Sequence, residues 1–342
     1  MINDNPTILA IESSCDDTAV AVMRNHKVVS NIIATQKVHE SYGGVIPEMA
    51  SRAHMQHIVP TVTLALKEAE CDFKDINAVA YTQAPGLMGS LLVGASFAKS
   101  FAQSLDIPSI PVHHLQAHIL AHFIEDPKPD FPFLCLTVSG GHTQLVLSES
   151  PLNMKVVGTT IDDAAGEAFD KIAKMLGFPY PGGPYIDRYA KAGNPKAFQF
   201  PISRVPGHDF SFSGIKTAVM YFLKENVDRD PDFIEKNKED ICASVQYTIV
   251  KTLLDQLSKV QKEYKVKHVG IAGGVSANSG LRKSFEEWGE NAGCQTYIPA
   301  FEYCTDNAAM IAITAYYKYL EQDFGTLETV PQAKSPIPTN HG

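Results

Sequence analysis

The sequence predicts an α/β protein made of two related halves, and three observations predict it. Short apolar runs that read as buried strands alternate with longer segments of helical period. Two strand-like runs frame a small polar turn near residues 7–23, and the same pattern returns near residues 133–147. A pattern that recurs in this way marks an internal duplication. Bulk properties agree. A chain of 342 residues suits two lobes, and 44% hydrophobic with 20% charged residues excludes intrinsic disorder. Lys plus Arg is 29 against 38 for Asp plus Glu, a net charge of −9. Bulk-charge binding to nucleic acid or an anionic membrane is excluded, whereas a local basic patch is not.

In chain order, residues 7–11 and 18–23 read as strands around the polar turn Glu12-Ser13-Ser14-Cys15-Asp16-Asp17, and residues 27–34 read as a third strand. Residues 47–70 have helical spacing with Pro47 near the start. Residues 76–81 read as a buried strand, and 87–105 as a helix rich in Gly, Ala and Ser. The window 76–98 carries no charge over 23 residues, long enough to cross a bilayer. Pro85-Gly86 and the polar Asn77, Thr82, Gln83 and Ser90 favour strand, loop and buried helix instead.

Residues 110–112 form a short strand and 113–123 are helical in period. Residues 126–132, with three prolines, read as a linker. Strands 133–138 and 143–147 then flank the turn Ser139-Gly140-Gly141-His142. Helices are expected over 163–176, 183–191, 213–224 and 241–264, and a strand over 266–272. A glycine-rich loop, 273–278, opens a helix to about residue 291, and the last helix covers 305–321. The lobes are expected at 1–126, completed by helix 305–321, and at 133–298, with 324–342 as a mobile tail. Six scattered cysteines without a CxxC pair exclude a zinc knuckle, and they fit a reducing compartment better than a disulfide scaffold. The first residues show no signal-type segment, so a cytoplasmic location is expected.

Three loops end strands in small or glycine-rich turns suited to anions: Ser13-Ser14-Cys15-Asp16-Asp17-Thr18, Ser139-Gly140-Gly141-His142-Thr143 and Gly273-Gly274-Val275-Ser276-Ala277-Asn278. Glycine lets backbone N–H groups approach a phosphate, and the third loop enters a helix N-terminus. Ser14, Asp16, His142, Gly273 and Gly274 are the candidate phosphate contacts. Each loop alone is also an ordinary turn. His114 and His118 stand at i and i+4, one turn apart on one helix face, which suits chelation as well as plain burial. A zinc protease needs Glu after the first His, and position 115 is Leu. Asp306 is an attractive third ligand. Two His and one carboxylate suit Fe(II), with Zn(II) second. Asp306 or Thr305 could equally cap the last helix. Asp163, Glu167 and Asp170 lie on one helical stripe. Lys251, Lys259, Lys262, Lys265 and Lys267 form a basic run that could simply be a solvated helix end.

Taken together, Ile11-Glu12-Ser13-Ser14-Cys15-Asp16-Asp17-Thr18, Val138-Ser139-Gly140-Gly141-His142-Thr143, Ala165-Gly166-Glu167-Ala168-Phe169-Asp170-Lys171, Tyr180-Pro181-Gly182-Gly183-Pro184, Phe210-Ser211-Phe212-Ser213-Gly214-Ile215-Lys216, Gly273-Gly274-Val275-Ser276-Ala277-Asn278 and Cys304-Thr305-Asp306-Asn307 resemble the TsaD family of tRNA adenosine threonylcarbamoyltransferases. The resemblance runs from about residue 8 to 317. It implies an actin/Hsp70-like (ASKHA) fold, two duplicated α/β lobes around a nucleotide cleft.

It further implies one divalent metal on His114, His118 and Asp306, and an adenylate site lined by Thr137, Val138, Ser139, Gly140, Gly141, Asp170, Gly183, Asp187 and Asn278. The implied activity moves threonylcarbamoyl from L-threonylcarbamoyl-AMP to N6 of the adenosine 3′ of the anticodon. The implied partners are tRNA, a TsaB-like paralogous subunit and a TsaE-like ATPase, with no membrane. No residue is identified as the base for the N6 proton. Gln116-Ala117 replaces the family's usual Glu-Gly, and Ala84 its usual Gly. An antibiotic-type O-carbamoyltransferase would need an added domain that this length does not hold. A non-catalytic nucleotide-binding scaffold would be expected to lose the metal ligands that are present here.

Overall fold

The computed structural model describes residues 5–36, 39 and 42–338; residues 1–4 of the expected first lobe and 339–342 of the expected tail lie outside them. The chain divides into two compact units. One takes the residues up to Pro129, Ser148–Lys155 and those from Pro299 onward; the other takes Asp130–Leu147 and Val156–Ile298.

In the first unit, β1 (Thr7–Glu12), β2 (Thr18–Arg24), β3 (Lys27–Ala34), β4 (Ala78–Ala84) and β5 (Ser109–His113) form one sheet in the order β3-β2-β1-β4-β5. β1 is antiparallel to β2 and parallel to β4, and β4 is parallel to β5. Every residue of β1 is buried, as a central strand covered on both faces requires. The helices of this part are α1 (Pro47–Glu68), α2 (Met88–Ser104) and α3 (His114–Leu120). The small residues of α2 allow close packing: a Cβ on Gly94 would stand 2.2 Å from Ser13 Oγ, in the turn after β1. The uncharged window 76–98 therefore holds a strand and the start of a helix. No helix among the described residues is long and apolar enough to cross a membrane.

The second sheet contains β6 (Phe133–Val138), β7 (Thr143–Ser148), β8 (Met154–Thr159), β9 (His268–Ala272) and β10 (Gln295–Tyr297). Its order is β8-β7-β6-β9-β10, the same permutation as the first sheet, with β6 parallel to β9 and β9 parallel to β10. The duplication inferred from the hairpins is thus a duplication of whole sheets. Helices α4 (Ala165–Met175), α5 (Gly183–Ala190), α6 (Ser213–Arg229), α7 (Phe233–Lys236), α8 (Lys238–Tyr264) and α9 (Ser279–Ala292) belong to this half, and α10 (Ala308–Leu320) returns to the first unit. The sequence reading did not include β8, β10 or α7. All three are short and lack a clean apolar period.

Among the described residues from 324 to 338 there is neither helix nor strand, yet the segment is held. Gly325 N donates to Ser109 O at 2.8 Å, Gln332 N to Gln83 O at 3.0 Å and Gly86 N to Ala333 O at 3.2 Å. Lys99 Nζ donates to the carbonyls of Leu327 and Thr329, and Ile337 is buried. These bonds tie the segment to β4, β5 and α2, where a mobile tail was expected from the loss of periodicity.

Candidate functional site

The first cluster lies wholly in the first unit. β5 runs directly into α3, so His114 is the first helical residue and His118 follows one turn later. Both are buried. Asp306 precedes α10, whose N-cap is Asn307: the Asn307 side chain accepts from Met310 N at 3.0 Å. The cap is therefore neither Thr305 nor Asp306, and Asp306 turns to the histidines. His118 Nε2 is 3.2 Å from His114 Nε2 and 3.2 Å from Asp306 Oδ1, and His114 Nε2 is 3.6 Å from that oxygen.

These three atoms fit a metal ion. They form a triangle whose corners lie about 1.9 Å from its centre, beside metal–nitrogen bonds of about 2.0–2.1 Å. Two imidazole nitrogens and a carboxylate oxygen are the donors a facial triad uses.

The groups behind the triad support the same reading. Glu12, fully buried at the end of β1, accepts from Ser14 N at 2.5 Å and from Thr82 Oγ1 at 2.6 Å. His114 Nδ1 lies 3.1 Å from Glu12 Oε2, and Ser14 Oγ is 3.2 Å from the same nitrogen. A proton held on Nδ1 by the carboxylate points the Nε2 lone pair at the centre, the usual arrangement behind a metal-bound histidine. Burial, the largest influence, opposes charge on His114, but Glu12 and then Asp306 outweigh it and push its pKa up to about 9. For Glu12, burial is again largest and opposes ionisation, yet His114 holds its pKa below the usual value. Burial keeps His118 below 6.5, hence neutral near pH 7 and able to ligate. Asp17 is pushed up to about 7 by burial, then by Asp16 and Asp306. Acidic groups thus crowd one partly buried place, which a cation would relieve.

Two expectations follow here. His114, raised from 6.5 to about 9, stabilises the metal-free fold fully below pH 6.5, and that contribution is lost as pH rises through 9. Thermal melts of chelator-treated protein should fall between pH 6.5 and 9, and metal-loaded protein should not share that fall. A melt that stays flat in the metal-free protein would contradict the ion pair. Asn307→Ala should cost about 0.5–2 kcal/mol in urea unfolding through loss of the cap.

The turn after β1 that contains Ser14 and Asp16 is clamped from two helices. His54 of α1 bonds Thr18 Oγ1 through Nδ1 at 2.7 Å and Cys15 O through Nε2 at 3.0 Å. Ser90 Oγ of α2 donates to the same carbonyl at 2.9 Å. Ser14 is buried beside His114, so it supports the histidine rather than standing open to a phosphate.

A second set of candidate residues gathers within the second unit. β6 and β9 run parallel, with Thr137 opposite Ala272, so the turns that follow them start side by side. Ser139 N donates to His142 O at 2.8 Å and His142 N to Ser139 Oγ at 3.1 Å, closing the first turn on itself. Nothing lies within 4 Å of where a Cβ would sit on Gly140, Gly141 or Gly274. Gly273 differs: its φ is +84°, and a Cβ would stand 2.5 Å from Val138 O. Gly273→Ala should therefore destabilise the fold by about 1–3 kcal/mol, read from its melting curve.

Asp170 Oδ1 accepts from Gly182 N at 2.7 Å and Gly183 N at 3.1 Å, and burial raises its pKa despite those amides. Asp187 Oδ1 accepts from Ser279 N at 3.1 Å and Ser279 Oγ at 2.8 Å. Asn278 caps α9 by accepting from Leu281 N at 2.8 Å and donates to Gln246 Oε1 at 2.7 Å. These bonds link α4, α5 and α9 around the two strand ends, the end of a parallel sheet where ligands bind. The acidic stripe, by contrast, is broken up. Asp163 lies before α4 and pairs with Lys216 at 2.7 Å and Lys171 at 2.9 Å, while Glu167 pairs with Lys171 at 2.8 Å.

Glu12 and Thr82 are the supporting residues the sequence reading did not single out. Their partners lie 70 and 102 residues away in the chain, so no local signal marks them.

Comparisons with known proteins bear on the fold and on the family. Among solved structures, full-length HypF with phosphate and nucleotide bound superposes with a TM-score of 0.62 at 14% identity, over 98% of this chain and 48% of that one. Component A of the (R)-2-hydroxyglutaryl-CoA dehydratase of Acidaminococcus fermentans superposes at 0.57 with 16% identity, over 92% and 99%. At such identities the likeness is one of fold, the actin/Hsp70-like class. A protein of Cytophaga hutchinsonii named tRNA N6-adenosine threonylcarbamoyltransferase is 60% identical over 331 residues, 97% of this chain and 96% of that protein. One of the same name from Christiangramia forsetii is 58% identical over 337 residues, 98% and 99%. Residues 27–313 match the family described as TsaD: tRNA N6-adenosine threonylcarbamoyltransferase. With that match spanning most of its length and relatives of about its own size more than half identical, this chain belongs to the TsaD family.

Proposed function

We propose that the protein transfers the threonylcarbamoyl group of L-threonylcarbamoyl-AMP to N6 of the adenosine 3′ of the anticodon, in tRNAs that read codons starting with A. The observation that carries this is the convergence of buried His114 and His118 with half-buried Asp306, backed by Glu12, in a member of the TsaD family. The N6 lone pair forms a bond to the carbamoyl carbon, the bond from that carbon to the phosphate oxygen breaks, and AMP leaves with the electron pair. The N6 proton passes to a base that no residue is assigned to. N6 can be reached because unstacked loop bases splay out of the stack.

His114, His118 and Asp306 hold one divalent metal, Fe(II) first and Zn(II) second on the chemistry of the donors. Such an ion supplies positive charge that polarises an oxygen, worth several kcal/mol. Glu12 and Ser14 orient His114. The adenylate falls to the second unit. There the open amides at Gly140, Gly141 and Gly274 receive the phosphate or the developing oxyanion, and Asp170, Gly183, Asp187 and Asn278 position the nucleoside. tRNA binding is shared with a TsaB-like subunit and a TsaE-like ATPase, as an acidic chain requires, and the reaction takes place in the cytoplasm.

Purified protein carrying metal is mixed with L-threonylcarbamoyl-AMP, unmodified tRNA and the two partners, and nucleosides are read by mass spectrometry. Threonylcarbamoyladenosine and AMP should appear in equal amounts. No product at full metal occupancy would sink the transferase reading.

A further inference from the structure

One feature of the second unit is unused by the chemistry above. Between the irregular residues 200–204 and α8 lies a cavity of about 820 Å³. Lys251, Asp255, Lys259 and Lys262 line it from one face of α8, spaced i, i+4, i+8 and i+11, and Arg204 lines it from the opposite wall. That stripe extends about 16 Å along the helix. Asp255 is already matched, with Lys251 Nζ 2.9 and 3.0 Å from its oxygens. Arg204, Lys259 and Lys262 make no ion pair among the described residues. Three unmatched cations thus face one groove in a chain of net charge −9.

A solvated helix end would show scattered cations and no built floor. Here the floor contains Gln256, buried to 5% exposure. Its Nε2 donates to Asp209 O at 2.5 Å, and its Oε1 is buried with no hydrogen-bond partner among the described residues. A buried acceptor without a donor is costly, by about 1–3 kcal/mol. It sits among cations that line the groove in a row, a pattern that suits a ligand with negative charges at intervals and a hydroxyl or N–H donor between them. A ribose-phosphate backbone has this pattern: phosphates at regular intervals, each beside a 2′-hydroxyl.

We propose that this groove receives a backbone segment of the tRNA substrate, with phosphates against Arg204, Lys259 and Lys262 and a 2′-hydroxyl donating to Gln256 Oε1. This rests on the tRNA reading above and adds where the RNA lies. It accounts for how an acidic protein contributes its own share of RNA affinity.

The test is binding of a labelled, unmodified tRNA transcript to the full chain from low to moderate salt. Arg204→Ala/Lys259→Ala/Lys262→Ala should bind at least tenfold more weakly. The slope of log affinity against log salt should become shallower by about 2–3, at about 0.7–0.9 for each phosphate contact. AMP binding and the melting temperature should hold. Lys259→Arg/Lys262→Arg should retain wild-type slope. Gln256→Leu should weaken the tRNA transcript more than a DNA of the same sequence.

An unchanged slope and affinity in the triple variant would overturn the proposal. So would displacement of tRNA by a polyglutamate peptide at equal charge, which would assign the groove to an acidic protein segment. The two readings fail separately. Normal nucleoside yield with an unaltered salt slope removes the groove alone. A slope that responds to the variant, without any modified nucleoside from wild type, removes the transferase and leaves the groove.

Discussion

Asp306→Ala should empty the metal group and lower threonylcarbamoyl transfer by at least about a hundredfold. The expectation follows from the triangle of donor atoms. Asp306 Oδ1 stands 3.2 Å from His118 Nε2 and 3.6 Å from His114 Nε2, so its loss leaves two imidazole nitrogens and no anionic donor facing them. A loss of about 3 kcal/mol of charge stabilisation corresponds to roughly a hundredfold in rate. Metal content by elemental analysis and nucleoside yield by mass spectrometry should fall together. Full transfer by metal-free variant protein would remove the ion from the reaction. Asn307→Ala is the useful comparison, because it loosens the same helix start while keeping the carboxylate.

The second large effect is expected at Glu12. Its two oxygens satisfy the Ser14 amide, the Thr82 hydroxyl and His114 Nδ1 at once, all in a buried place. Glu12→Gln keeps the size but removes the charge that favours the Nδ1 proton. Metal affinity should drop by about 10–100-fold, the usual range when a supporting carboxylate is altered. Glu12→Ala removes the acceptor altogether. It leaves the Ser14 amide and the Thr82 hydroxyl as buried donors without their acceptor and removes the charge that outweighs burial at His114, and should cost about 2–5 kcal/mol of stability in the metal-free protein. Chelator competition reads the first effect and urea unfolding the second. If Glu12→Gln held metal as tightly as wild type, the carboxylate would have no part in orienting His114.

Much of this was legible in the residues. The repeated strand–turn–strand pattern carried the duplicated sheets, because a strand buried on both faces is mostly apolar, as residues 8–11 of β1 and 133–136 of β6 are. The pair His114 and His118 was legible from helical spacing alone. Asp306 was legible as a candidate, though not the reason it turns to the histidines: Asn307, one residue later, takes the cap. Glu12 was hidden because its partners are 70 and 102 residues away. Nothing local distinguishes it from a turn-opening acid. The stripe of Asp163, Glu167 and Asp170 misled because helical phase says nothing about where the helix begins; α4 starts at Ala165, after Asp163. The segment after Phe324 carries no period because main-chain bonds to β4 and β5 hold it, and those bonds are blind to side-chain type.

The donors from α3 and the one before α10 are separated by 188 residues of chain. A ribosome adding about 5–20 residues each second needs roughly 10–40 s to travel from the second histidine to the acid. During that interval the nascent protein owns two of the three ligands and lacks the final helix of the unit that holds them. The donor set therefore waits for residue 306 to be made, and a product truncated before it lacks the carboxylate and should not be rescued by added metal.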